Sequence, residues 1–70
     1  MNIKKTILEI IKKNPEIGRA KFDRIYYSTV SYEENWVTIV KELRNEEFIE
    51  DDILKITNKG LEYLSKNYDN

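Results

Sequence analysis

The sequence predicts an α+β fold: three helices, a short two-stranded hairpin and a final helix. Three observations lead there. Seventy residues suffice for one domain built around one core. Apolar residues recur at helical spacing in separate segments. Residues 36–64, WVTIVKELRNEEFIEDDILKITNKGLEYL, read as an amphipathic helix, a tight turn between two β-prone runs, and a threonine-capped helix.

The first helix is expected over residues 2–13. Ile3, Ile7, Ile10 and Ile11 share one stripe, and Lys4, Lys5, Lys12 and Lys13 lie off it. Asn2 is its expected cap. Asn14-Pro15 ends it, because the residue before a proline is pushed out of the helical region. The second helix is expected from Arg19 to Ser28, with Gly18 at its entry and Phe22, Ile25 and Tyr26 as its apolar edge. Residues 28–31 then form a polar break around one buried Val30.

A third helix is expected over residues 32–46. Ser31 and Glu34 have capping-box spacing, in which the hydroxyl takes the backbone N–H three residues on and the glutamate reaches back. Behind them, Trp36, Ile39, Val40 and Leu43 trace the i, i+3, i+4, i+7 stripe of a core-facing helix. Phe48-Ile49 and Ile53–Ile56 are the two expected strands, joined by Asp51-Asp52. Thr57 caps a last helix over residues 58–67, with Leu61 and Leu64 inward.

Composition narrows the chemistry. Without Cys there is neither a disulfide framework nor a thiolate metal site, and without His the commonest general base and metal ligand is absent. No Gly-rich phosphate loop or serine-nucleophile motif occurs, so no enzymatic activity and no cofactor are expected. Glu50-Asp51-Asp52 lack the spacing of a calcium loop. No apolar run approaches a membrane span and no signal-peptide pattern is present, so a soluble, cytoplasmic protein is expected. The formal net charge of −1 conceals an asymmetry. Residues 1–24 hold seven bases and three acids; residues 25–70 hold five bases and ten acids.

The run VKELRNEEFIEDDILKITNKGLEYLSK resembles the closing part of winged helix-turn-helix transcription regulators of the small archaeal, plasmid and viral type. Leu43, Phe48 and Ile49 match the end of that family's recognition helix and its first wing strand. Ile56-Thr57-Asn58-Lys59-Gly60 matches the run that opens its final helix. Two departures from the pattern stand out. Glu47 stands where the family has Gly, and Glu50-Asp51-Asp52 occupy the wing where relatives carry Lys or Arg.

The resemblance implies a regulator of transcription that binds double-stranded DNA as a homodimer, with the third helix in the major groove and the second on the phosphate backbone. Arg19 and Lys21 are then the phosphate anchors. Tyr32, Asn35, Thr38, Lys41 and Arg44 are the expected contacts from the third helix, with Lys55 on the returning strand. Asn35 is the expected reader of adenine, through a bidentate amide contact. Tyr63 and Tyr68 fall near the expected dimer seam. A second function fits the acidic stretch 46–52: a protein-interaction module, or a viral or plasmid inhibitor, that docks on a basic partner.

Overall fold

Four helices and no sheet make up the described part of the chain, residues 3–29 and 35–66 of a computed structural model: α1 (Ile3–Lys13), α2 (Arg19–Thr29), α3 (Trp36–Asn45) and α4 (Asn58–Lys66). α1 is the hub and packs against each of the other three. Its buried stripe is Ile7, Leu8, Ile10 and Ile11, with Ile3 partly buried at the edge. Leu8 was not on the predicted stripe; it widens the apolar arc enough for one helix to face three neighbours. The expected cap Asn2 lies outside the described residues.

α1 ends as its sequence demands. The Asn14 side chain donates to the Ile10 carbonyl at 2.9 Å and so satisfies one of the carbonyls a helix end leaves open. Pro15 follows, and Glu16 reverses the chain with φ of 58°. α2 contributes Phe22 and Tyr26, one turn apart and both fully buried.

α3 begins at Trp36, where the Asn35 side chain accepts from the Val37 N–H at 2.9 Å. Ser31, Glu34 and the expected buried Val30 lie outside the described residues. The helix closes in a Schellman arrangement: the Phe48 N–H donates to the Leu43 carbonyl and the Glu47 N–H to the Arg44 carbonyl, both at 2.9 Å. That closure puts Glu47 in left-handed backbone at φ 67°, the conformation for which the resembling family uses glycine.

The predicted α+β winged-helix architecture is not what forms. Phe48-Ile49 and Ile53–Ile56 do not become strands, because the returning segment divides its pairing between two partners. Ile56 bridges Ile49, whereas Leu54 bridges Ile17 in the turn after α1. Among the described residues, three backbone bonds knit these segments together: Thr57 N–H to Phe48 O, Glu50 N–H to Lys55 O, and Glu16 N–H to Leu54 O. A ladder needs successive residues to face one partner, and neither pairing extends beyond a single bridge. The segment is a looped connection between α3 and α4.

α4 starts where Thr57 accepts from the Gly60 N–H at 3.0 Å and donates its own hydroxyl to the Glu47 carbonyl at 2.7 Å. One side chain thus fastens the start of α4 to the end of α3. Gly60 is buried against this junction: a β-carbon there would lie 2.4 Å from the Phe48 carbonyl oxygen. Leu64 is buried as expected, but Leu61 is 38% exposed. The apolar face of α4 is narrower than the spacing predicted.

Candidate functional site

A groove of about 490 Å3 opens between the start of α2, one flank of α3 and the 51–54 segment. Trp36, Val37, Val40, Ile53 and Leu54 give it an apolar lining. Its charged residues are evenly divided: Arg19, Lys41 and Arg44 against Glu16, Asp51 and Asp52.

Trp36 is the keystone. It is 6% exposed, packed edge-on against Phe22 with ring centroids 4.8 Å apart. Its indole N–H donates to Asp23 Oδ1 at 2.7 Å, which satisfies a donor that burial would otherwise leave unpaired. The Arg19 guanidinium carbon sits 5.5 Å from the indole centroid, within cation–π range. Two charged residues of α2 therefore hold the first residue of α3, and the mutual setting of the two helices is fixed by polar contacts as well as apolar ones. The sequence reading placed Trp36 in the core but gave no role to Asp23. Nothing in a linear sequence relates a carboxylate to an indole thirteen positions away.

The residues expected to contact DNA do not behave alike. Arg44 is turned inward: its Nε donates to the Glu50 carbonyl at 2.8 Å, and Nη2 makes a longer 3.4 Å contact with the Ile53 carbonyl. Its guanidinium shapes the 50–53 segment. Asn35 spends its side-chain oxygen on the α3 cap, although bidentate reading of adenine needs both that oxygen and the amide nitrogen. Thr38 and Lys41 stand exposed on α3, and Lys21 is exposed on α2. Lys55 is exposed on the segment that leads toward α4, away from the groove lining. Tyr32 and Tyr68 lie outside the described residues. Tyr63 packs on Phe48, ring centroids 4.8 Å apart, so much of it is committed within the chain.

The acids after α3 also divide. Glu46 pairs with Lys4 of α1 at 3.3 Å, and Lys4 reaches Glu42 at 3.8 Å. Glu47 pairs with Lys59 of α4 at 3.8 Å. These are exposed pairs of small energetic worth, yet they offset two of the charges that the sequence set against an anionic partner. Asp51 and Asp52 form no ion pair among the described residues.

Among the described residues no cluster of three metal-ligating side chains exists, and no helix is long and apolar enough to cross a membrane. Compared with family models, curated proteins and solved structures, the chain matches none.

Proposed function

We propose that this domain binds double-stranded DNA, with the exposed edge of α3 at the major groove and the start of α2 beside the phosphate backbone. The observation that supports it is the disposition of charge. Arg19 and Lys41, from two different helices, border one groove without an acidic partner among the described residues, while Glu46 and Glu47 are held by lysines of α1 and α4. With Asn35 and Arg44 engaged within the chain, Thr38 and Lys41 carry the contacts from α3, and Arg19 and Lys21 those from α2. A homodimer remains part of the reading; exposed Leu61 on α4 takes the place of Tyr63 as its apolar contact.

The direct experiment is a titration of labelled duplex from the region upstream of the encoding gene, repeated over a series of salt concentrations. Three phosphate contacts per copy give a log–log slope of about −0.9 for each contact. Lys21→Ala should weaken binding to every sequence about equally and flatten that slope by about one, whereas Thr38→Ala should alter sequence preference. No complex at micromolar protein and low salt, or a slope near zero, removes the proposal.

A second reading has its own observation. Asp51 and Asp52 have no ion pair among the described residues and lie beside Ile53, which is 42% exposed. A protein partner with a basic, partly apolar surface would meet both features. Capture of such a partner that is abolished in Asp51→Asn/Asp52→Asn, together with failure to bind DNA, favours this reading.

A further inference from the structure

We infer that the groove beneath α3 is a binding site for a short peptide of two or three apolar residues with both termini free. The inference goes beyond DNA binding and stands without it. A volume of about 490 Å3 falls within the range of pockets that enclose small organic ligands. It suits two or three residues of peptide better than a lone amino acid. The lining by Trp36, Val37, Val40, Ile53 and Leu54 favours apolar side chains.

Charge then selects the ligand's ends. The groove holds as many acids as bases, so a singly charged molecule meets as much repulsion as attraction there. A molecule carrying both signs does not. Of the bases on α3, Arg44 is already engaged with the Glu50 and Ile53 carbonyls. Lys41 is left as the partner for a carboxylate. On the 51–54 side, Asp51 and Asp52 have no ion pair among the described residues and can take an ammonium. Lys41 is also a residue of the proposed DNA surface, so an occupied groove and a bound duplex would compete for it.

The chain carries a single tryptophan, and it lines the groove, so its fluorescence reports occupancy without a label. The titrants are leucyl-leucine, its N-acetylated form and its C-terminal amide. The free dipeptide should shift Trp36 emission and saturate near 1 mM, about the weakest affinity that counts as a site. Each blocked form should bind about five- to tenfold more weakly, the loss expected for one charge-assisted contact. Lys41→Ala should weaken the free dipeptide by that factor and leave the amide unchanged. Asp51→Asn/Asp52→Asn should weaken the free dipeptide and leave the acetylated form unchanged. These side chains are exposed and have no ion pair among the described residues, so the variants should fold. Equal binding of all three peptides, a loss for the blocked peptide as large as for the free dipeptide in the matching variant, or no emission change up to about 10 mM would each overturn the assignment.

Discussion

Glu47 and Gly60 are two residues whose immediate backbone surroundings decide which side chain the fold tolerates. Glu47 holds φ 67° at the end of α3, a region where a β-carbon clashes with its own backbone. Its exposed pairing with Lys59 offsets little of that cost. Glu47→Gly should therefore stabilise the domain by about 0.5–1 kcal/mol, even after glycine's greater freedom in the unfolded chain is counted. An unchanged or lower urea midpoint would show that the strain is relieved in some other way. Gly60 is the converse. Helix propensity alone favours alanine at this position by about 1 kcal/mol, yet the added β-carbon would come within 2.4 Å of the Phe48 carbonyl oxygen and 2.7 Å of Ile56. Overpacking against main chain outweighs propensity, and Gly60→Ala should destabilise by about 2–3 kcal/mol. A thermal melt at or above that of the parent would refute the steric reading.

At the scale of elements, two polar joints besides Thr57 are open to test. One is Asp23 to Trp36, which ties α2 to α3. Removal of the carboxylate strands a largely buried indole N–H, so Asp23→Ala should cost about 1–2 kcal/mol, while Asp23→Asn keeps an acceptor and should restore most of it. Equal losses in the two variants would mean that the joint depends on charge or packing rather than on the hydrogen bond. The other joint is Arg44, whose planar fork spans the carbonyls of Glu50 and Ile53. Arg44→Lys cannot reproduce that geometry. It should open residues 51–53 to limited proteolysis as readily as Arg44→Ala does; protection in the lysine variant would argue that charge alone suffices. Much of the helical layer was legible in the sequence, since stripes such as Trp36, Val40 and Leu43 encode both helix and buried face. The loss of the hairpin was not. Ile53–Ile56 has strand-like composition, and nothing local to it reveals that Leu54 pairs with Ile17 instead of continuing the pairing with residues 48–49.

For the molecule as a whole, smallness decides what it can tolerate. A single core in a chain of this length typically leaves about 3–5 kcal/mol of net stability. Truncation of one fully buried leucine typically costs about 2–5 kcal/mol. Leu8→Ala or Leu43→Ala, each removing a side chain with no exposed surface, should thus leave the chain largely unfolded at 37 °C. A cooperative melt well above that temperature, followed by circular dichroism, would indicate a core stronger than its size implies or support from a second copy. The candidate site was legible only in part. The sequence picked out Arg19, Thr38 and Lys41, which the fold leaves accessible. It could not foresee that Asn35 and Arg44 would be spent on the backbone, because both roles depend on where α3 starts and on where the following segment folds back.

The bond from the Glu16 N–H to the Leu54 carbonyl joins two places that the chain reaches only after passing through α2 and α3. If residues 16 and 54 part only when the whole chain opens, that amide stays shielded from solvent deuterium until then. Its exchange rate should therefore match the slowest amides of α1 rather than those of neighbouring turns, making one peptide group a gauge of whether the whole chain opens as a unit.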